Sequence, residues 1–375
     1  MAFEKAIETC IKENTAFLLI SGDLFNTSLP SIDLIKRTAA ILKKLKNKSI
    51  SCYIIPGSHD FSPSGKTMID VLEKAGLVEN VMKVYETNGK LKLSFTVDKT
   101  NSKITGIFGK KSGLETSYYN KLERDNLEAE KGFKIFMFHT LLTELKPKDM
   151  EVIETEPLSL LPKGFDYYAG GHPHFVYSKN HKGYGLITYP GPIFPNNFKE
   201  LEGLKHGNMF IVTDKLEVKH IPLKIKDVVN IYLNVNGKSA VQAEEMLIKD
   251  ISKYDVKDKI ITIRIEGILS SGKATDIKFT EIFSKLDAYY ILKNTNKLSS
   301  KEFEELKIDG GNAEEIEAKI IKEHLGQIKI SNEERLTHDL VNAFNLEKNE
   351  GETNYVFEER LIKGINKILD IEDDN

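Results

Sequence analysis

The sequence contains few cysteines: Cys10 and Cys52 are the only two among 375 residues. Cys10 lies on the apolar side of a predicted helix and Cys52 begins a predicted strand, so both positions are typical of core residues. Two such thiols are too few for a disulfide framework or a zinc site built on cysteines. This excludes the class of disulfide-stabilised secreted domains, and we expect a protein of the reducing cytoplasm.

Long hydrophobic runs are also absent. A helix that spans a bilayer needs about 20 consecutive apolar residues, and no run in this chain approaches that length. The first residues do not show the basic and apolar regions of a signal peptide. We therefore expect a protein that has no membrane partner.

Charge of one sign is not in excess. The 53 basic and 56 acidic side chains give a net charge of -3, and the sequence pI is about 6.4. The field of the whole molecule therefore does not attract nucleic acid, and any such contact must come from local basic patches. With 40% hydrophobic residues the chain is long enough for two domains and a tail.

Two histidines stand close together after an apolar run. The segment Gly170-Gly171-His172-Pro173-His174 follows residues 166–169, which predicts a loop at the end of a buried strand. Histidines at i and i+2, with a stiff proline between them, can aim two ring nitrogens at neighbouring points. This spacing favours a metal site, whereas a lone histidine is more often an ordinary core or surface residue.

Other predicted strands also end in carboxylate or imidazole side chains. The carboxyl ends of strands in an open α/β sheet are where ligands and chemistry are placed. We therefore expect these side chains to converge with the histidine pair. They are Asp23 after strand 17–21, His59 and Asp60 after strand 52–55, and His139 after strand 133–138.

These segments, in this order, resemble motifs two to five of the calcineurin-like metallophosphoesterases. Within that family, the sequence is similar to the SbcD-type subunits, nucleases that repair DNA double-strand breaks together with a coiled-coil ATPase of the SbcC type. The motifs cover roughly residues 17 to 215. The motif segments are Gly22-Asp23-Leu24-Phe25, Gly57-Ser58-His59-Asp60, His139, Gly171-His172-Pro173-His174 and Tyr189-Pro190-Gly191.

The resemblance implies an α/β fold of two stacked mixed β-sheets flanked by helices. We expect a nuclease domain over residues 1–222, incomplete at its N-terminus, and a small α/β cap domain over residues 223–297. The cap helps to grip DNA in the family. Residues 298–375 are expected to be helical, and by resemblance they dock on the ATPase. The apolar stripe of the last predicted helix also suits packing on its own domain.

The resemblance further implies two divalent metal ions, with Mn²⁺ expected first and Mg²⁺, Fe²⁺ or Zn²⁺ as alternatives. Asp23 would bridge the two ions. His139 and His172 would complete the site of one ion, and His174 would bind the other. Ser58 occupies the position of an asparagine ligand in the family, and its hydroxyl is a poorer neutral ligand than an amide oxygen.

The resemblance assigns catalysis to the loop that follows the second predicted strand. His59 would stabilise the developing charge or protonate the leaving oxygen, and Asp60 would orient its ring. Asn26 stands where the family has a further histidine. This departure and Ser58 both bear on the rate and on the choice of metal.

One family motif has no match in the sequence. The family places an Asp-x-His motif on a strand before the first helix, whereas this sequence begins with an amphipathic helix whose apolar residues run from Phe3 to Ile11. We expect a fragment or a misplaced start. The alternative is a protein that has lost half of its dimetal site.

Three functional hypotheses follow. The first is a metal-dependent DNA nuclease, a homodimer within a repair complex, which by resemblance trims 3′ ends and nicks single strands. The second is a catalytically impaired subunit that binds DNA or the ATPase. The third is a nucleotide phosphodiesterase on the same core, which the predicted cap and helical tail disfavour.

Overall fold

The computed structural model describes residues 1–60, 67–87, 89–109, 116–147, 155–301, 321, 325, 330, 332–349 and 354–371. The chain divides into two compact units, Met1–Lys226 and Asp227–Asn375. The expected boundaries at residues 222 and 297 stay predictions.

The first unit contains helices and short strands in alternation. Its helices are α1 (Ala2–Lys12), α2 (Ile32–Asn47), α3 (Met68–Lys74), α4 (Thr116–Lys121), α5 (Asp125–Glu128) and α6 (Phe198–Leu204). Its strands are β1 (Phe17–Ser21), β2 (Ser51–Ile55), β3 (Glu79–Asn80), β4 (Lys83–Thr87), β5 (Lys90–Ser94), β6 (Thr96–Val97), β7 (Lys103–Ile107), β8 (Lys134–His139), β9 (Tyr167–Gly171), β10 (Tyr177–His181), β11 (Gly185–Tyr189), β12 (Gly207–Val212) and β13 (Val218–Leu223).

Two sheets dominate this unit. A three-stranded sheet has the order β1-β2-β3, and a six-stranded sheet has the order β10-β11-β9-β8-β7-β6. The six-stranded sheet is mixed, whereas the described strands of the smaller sheet are all parallel, because helices α2 and α3 carry the chain back between them. The expected α/β fold is confirmed, and the described pairings of the smaller sheet are all parallel.

Alternate side chains of a strand belong to different hydrophobic cores of this unit. In β8, Ile135 and Met137 join a core with Tyr53 and Ile55 of β2. The intervening Phe136 and Phe138 belong to a different core, because successive side chains of a strand point to opposite faces. The result is two stacked sheets with helices outside. From these helices, Tyr119 and Leu127 pack in the core of the larger sheet, and Ile7 and Leu42 pack in the core of the smaller one.

The first two helices agree with the sequence pattern. Helix α1 buries Ala6, Ile7 and Cys10, and full burial of an aliphatic side chain such as Ile7 contributes about 1.5–3 kcal/mol. Helix α2 begins after Ser31, whose side chain accepts a hydrogen bond from the backbone N of Leu34. The apolar spacing of residues 3–11 and 32–45 predicts both helices, and the structure confirms them.

One predicted helix is wrong in its extent. The sequence predicts a single helix over residues 118–131, but the structure has α4 and α5 with a break between them. At the break, Leu122 forms a bridge with Leu91, and the backbone N of Glu123 donates to the carbonyl of Leu91 at 2.8 Å. Pairing with the end of β5 thus replaces the next helical turn.

The second unit has a parallel three-stranded sheet in the order β14-β15-β16. This agrees with the strand-helix-strand pattern expected in residues 223–297. Within the expected helical region the sequence predicts a helix near residues 313–325, which lies largely outside the described residues. The elements are β14 (Val228–Asn234), α7 (Ala240–Ile251), β15 (Ile260–Leu269), α8 (Phe279–Phe283), β16 (Tyr290–Ser300), α9 (Glu333–Phe344) and α10 (Asn354–Ile368).

None of the helices in the described part of the chain has both the length and the apolar character that a bilayer crossing requires.

Candidate metal centre

Three side chains meet where strands of both sheets end. Asp23 follows β1, His139 is the last residue of β8, and His172 follows β9. Each offers one ligand atom, and these atoms all lie within 4.8 Å of one another. In the register of the larger sheet, His139 stands opposite Gly171, which brings the next residue, His172, to the same end of the sheet.

Two of these residues have an uncommon backbone conformation. Asp23 has φ 54° and His172 has φ 87°, values that residues with a side chain rarely adopt. Each sharp turn occurs directly after a strand. Such conformations persist where the surrounding structure fixes them, and they cluster at functional sites.

Glycines allow the strand ends to approach. A Cβ at Gly171 would lie 1.9 Å from the carbonyl oxygen of Ser21 and 2.8 Å from Nδ1 of His139. A Cβ at Gly22 would lie 2.3 Å from the same nitrogen. No other residue type fits at these positions without moving the backbone, so the glycines flanking the predicted ligands are part of the site.

The His139 ring is held in one tautomer. Its Nδ1 lies 2.7 Å from the carbonyl oxygen of Ser21. A carbonyl only accepts, so Nδ1 carries the hydrogen and Nε2 of the neutral ring keeps its lone pair. Ser21 thus orients the ring without any side-chain signal in the sequence.

The chemistry of this cluster fits a cation. Nε2 of His139 is buried without a hydrogen-bond partner, although Oδ2 of Asp23 lies 3.1 Å away. Two acceptors at this distance repel unless a proton or a metal ion joins them. The ring of His172 stands edge-on to that of His139, with 5.2 Å between the ring centroids. The donor set of one carboxylate and two imidazoles suits Mn²⁺, Fe²⁺ or Zn²⁺.

The protonation states agree with this interpretation. Burial raises the pKa of Asp23, but the contacts with His139 and with the backbone N of His59 lower it by a larger amount. The pKa of Asp23 therefore lies below its ordinary value. Burial lowers the pKa of His172 to about 4, which keeps this ring neutral at pH 7. For His139, burial lowers the pKa while Asp23 and Ser21 raise it more, so the pKa lies above its ordinary value. The position beside Asp23 thus favours a positive charge, and a proton on Nε2 competes there with a metal ion.

The loop after β2 holds Asp23 in place. The backbone N of His59 donates to Oδ1 of Asp23 at 2.8 Å. A Cβ at Gly57 would lie 2.2 Å from that same oxygen. The Gly-Ser-His-Asp segment therefore contacts the Asp23 carboxylate through its backbone, and Ser58, a predicted ligand, is buried within it.

Asp60 does not orient the ring of His59 as expected. Its carboxylate, 2% exposed, accepts hydrogen bonds from the backbone N atoms of Leu24, Phe25 and Gly57 at 3.2, 3.0 and 3.0 Å. Both oxygens are thus occupied by backbone amides, and Asp60 joins the loops that follow β1 and β2. Burial raises the pKa of this carboxyl, although the amides oppose the shift.

The main chain of Asn26 contacts the ring of His59, as was expected of the Asp60 side chain. Its backbone carbonyl lies 3.1 Å from Nδ1 of His59, which leaves Nε2 of that ring free of this contact. A main-chain oxygen carries no residue-type signal, so sequence reasoning had no means of finding it.

His174 lies outside the three-residue cluster. Its Nδ1 is 2.9 Å from Oε1 of Glu200 in α6, a residue that the sequence analysis did not single out. His174 as a ligand of a second ion stays a prediction.

Comparison with known proteins agrees with this geometry. The family model of the calcineurin-like phosphoesterases matches residues 2–175. The DNA double-strand break repair protein Mre11 of Archaeoglobus fulgidus is 22% identical over 343 residues, 86% of this chain and 74% of the relative. The protein of that name from Sulfolobus acidocaldarius is 28% identical over 315 residues, 80% of this chain and 77% of the relative.

A third relative matches a smaller part of the chain. The Mre11 protein of Methanococcus maripaludis is 27% identical over 226 residues, 57% of this chain and 56% of that protein. The residues that the family model matches, 2–175, contain Asp23, His139 and His172. The chain therefore carries a calcineurin-like metallophosphoesterase domain, with double-strand break repair proteins of the Mre11 type among its relatives.

Proposed function

We propose that the protein is a metal-dependent DNA nuclease that hydrolyses phosphodiester bonds in double-strand-break repair. One observation carries the proposal: Asp23, His139 and His172 form a cluster of ligand atoms within 4.8 Å of one another in a phosphoesterase domain. The Mre11 relatives supply the substrate class, DNA.

The roles of the residues follow from their environment. Asp23, His139 and His172 would hold a divalent ion, Mn²⁺ first, and a second ion would take Asp23, His174 and Ser58. Bound ions of this kind lower the pKa of a water molecule and polarise phosphate oxygens. The low pKa of Asp23 keeps its carboxylate charged, and the low pKa of His172 keeps its ring available as a ligand.

His59 is proposed as the group that stabilises the developing charge or protonates the leaving oxygen. The Asn26 carbonyl holds the ring through Nδ1, so Nε2 is the atom that would exchange the proton. The backbone N of His59 contacts Asp23, which keeps the proposed acid next to the proposed metal ligands.

A second hypothesis has one observation in its favour. His174 contacts Glu200 and is not part of the three-residue cluster. A protein with one ion would be the catalytically impaired subunit, which binds DNA or the ATPase without cutting. The number of bound ions separates the two hypotheses.

We propose that the last two helices dock on a coiled-coil ATPase of the SbcC type. No residue of α9 is buried, and large apolar side chains stand exposed on both helices, such as Phe344 at 64% and Ile362 at 56%. Apolar surface of this kind marks interaction sites. An Ile362→Asp variant should lose binding to the ATPase and keep nuclease activity.

We also propose a homodimer. Leu29, which precedes α2, and Ile32, its first residue, are 74% and 82% exposed, and a second copy would bury these side chains. Sedimentation of an Ile32→Glu variant tests this proposal. A glutamate charge in the contact between two copies should disrupt the dimer, so the variant should sediment as a monomer.

The nuclease proposal is tested with metal-free protein that is reloaded with Mn²⁺. We expect bound manganese, hydrolysis of linear duplex and of single-stranded DNA, and loss of hydrolysis in His59→Ala with the ions retained. Two ions per chain with hydrolysis support the dimetal nuclease. One ion without hydrolysis supports the impaired subunit, and hydrolysis of cyclic nucleotides but not of DNA supports a nucleotide phosphodiesterase.

A further inference from the structure

We infer that Glu200 is a positioning residue for His174: its carboxylate fixes the His174 ring with the hydrogen on Nδ1 and thereby reserves Nε2 for a cation. The inference rests on the proposed function, in which His174 is a ligand of the second ion. It adds a residue of helix α6 to the site, although α6 contributes nothing to the three-residue cluster.

The first step is the contact itself. Nδ1 of His174 lies 2.9 Å from Oε1 of Glu200, with the two side chains 39% and 18% exposed. An ionised carboxylate has no hydrogen to donate, so the ring nitrogen must donate. The neutral ring then has its lone pair on Nε2, the form in which histidine binds metals.

The second step is that Glu200 is held independently of His174. Its Oε2 accepts from the backbone N of Asn196 at 2.8 Å, and its Oε1 accepts from Nδ2 of Asn197 at 2.6 Å. Oδ1 of Asn197 in turn accepts from the backbone N of Glu200 at 2.9 Å, which caps α6. A carboxylate fixed by two further donors presents one orientation to the ring, unlike the mobile partner of an ordinary surface ion pair.

The third step is that two other histidine rings of the site also have Nδ1 next to an oxygen acceptor. Nδ1 of His139 faces the carbonyl of Ser21 at 2.7 Å, and Nδ1 of His59 faces the carbonyl of Asn26 at 3.1 Å. All three rings therefore have Nδ1 committed to an oxygen acceptor. His174 differs from the other two because its acceptor is a side chain, so substitution can remove it.

A purely structural role for Glu200 predicts a different behaviour. If Glu200 served only to cap α6, its loss would lower stability and leave the His174 tautomer and metal binding unchanged. A positioning role requires that its effect pass through the His174 ring.

The tautomer is measured by long-range proton-nitrogen NMR on metal-free protein labelled at histidine, at alkaline pH where the rings are neutral. We expect the wild-type His174 signal to show hydrogen on Nδ1. In Glu200→Gln, whose amide has a single acceptor oxygen for three donors, we expect the hydrogen to move to Nε2 in a large share of molecules. Glu202→Gln removes the same charge from the same helix and should leave the signal unchanged.

Metal binding supplies the second readout. Titration calorimetry with Mn²⁺ should show that Glu200→Gln weakens the second ion about 10–100-fold, as loss of a ligand's orienting partner does. The affinity of the ion at Asp23, His139 and His172 should not change. In a His174→Ala background, Glu200→Gln should have no further effect.

The inference is overturned if His174 of the wild-type protein carries its hydrogen on Nε2, a measurement that needs no variant. It is also overturned if the Glu200→Gln effect on metal binding persists in the His174→Ala background. A protein that shows the expected tautomer and metal loss but does not cut DNA refutes the nuclease proposal and leaves the role of Glu200 intact.

Discussion

Oδ2 of Asp23 lies 3.1 Å from Nε2 of His139, in a ring whose Nδ1 already faces the carbonyl of Ser21 at 2.7 Å. The ring thus connects the main chain at the end of one sheet to a carboxylate that follows it. With Nδ1 committed, only a proton or a cation can join Nε2 to the carboxylate. The pair therefore defines where a metal ion is expected and which atoms would bind it.

The first prediction concerns the charge at this position. Asp23→Asn keeps the size of the side chain and removes its charge, so binding of Mn²⁺ at the cluster should weaken by more than about 100-fold, since loss of an orienting partner alone costs 10–100-fold. Titration calorimetry measures this. His338→Gln in α9 is the control and should bind as the wild type does. Unchanged affinity in Asp23→Asn would remove Asp23 from the site.

Sequence reasoning predicted the side chains that the structure brings together at the strand ends. Asp23, His139 and His172 each follow a run of apolar residues, and the carboxyl ends of strands stacked in one domain must lie near one another. The prediction therefore needed only the strand pattern and the residue type. The same reasoning located α1, α2 and the strand-helix-strand pattern of the second unit.

Sequence reasoning missed the hydrogen-bond partners that only the tertiary structure brings together. The carbonyl of Asn26 and the main-chain amides that occupy Asp60 have no residue-type signal. Glu200 lies 26 residues after His174, in a helix whose short charged sequence resembles any surface segment. The break after α4 depends on the edge of β5, which no local pattern specifies.

The second prediction concerns the glycine between the sheets. Gly171→Ala would place a Cβ 1.9 Å from the carbonyl of Ser21, so β1 and β9 must separate. We expect a loss of about 1–3 kcal/mol in the free energy of unfolding and weaker Mn²⁺ binding. Gly203→Ala, in α6 where a Cβ meets nothing within 4 Å, should instead gain about 0.5–1 kcal/mol. Urea denaturation of both variants decides this, and equal effects would contradict it.

The third prediction separates Asp60 from its neighbour His59. Asp60→Asn leaves one acceptor oxygen for three main-chain amides. We expect a loss of about 1–3 kcal/mol in stability, together with weaker metal binding because the loop that carries Asp23 loosens. His59→Ala should keep stability and metal binding and lose hydrolysis. The two variants are compared by thermal unfolding, calorimetry and nuclease assay. An Asp60→Asn protein that has normal stability and metal affinity but no activity would contradict this prediction and support the catalytic role first expected for Asp60.

The fourth prediction is the response of stability to alkaline pH. Tyr167 is buried between the sheets, its hydroxyl 2.8 Å from that of Thr188, and burial raises its pKa to about 12. The unfolded chain loses this proton near pH 10, so between about pH 10 and 12 only the unfolded state is deprotonated. Stability is fully present below pH 10 and falls by about 1.4 kcal/mol per pH unit for this group as pH rises.

Two variants isolate this contribution. Tyr167→Phe should flatten the fall of stability above pH 10 by that amount, at a cost of about 1 kcal/mol at neutral pH for the lost hydrogen bond. Thr188→Val removes the same hydrogen bond but keeps the titrating hydroxyl, so its stability should fall as steeply as that of the wild type. Urea denaturation from pH 8 to pH 11 measures the slopes. Parallel slopes for the wild type and Tyr167→Phe would mean that the hydroxyl of Tyr167 ionises as readily in the folded protein as in the unfolded chain, and that the sheets do not exclude water there.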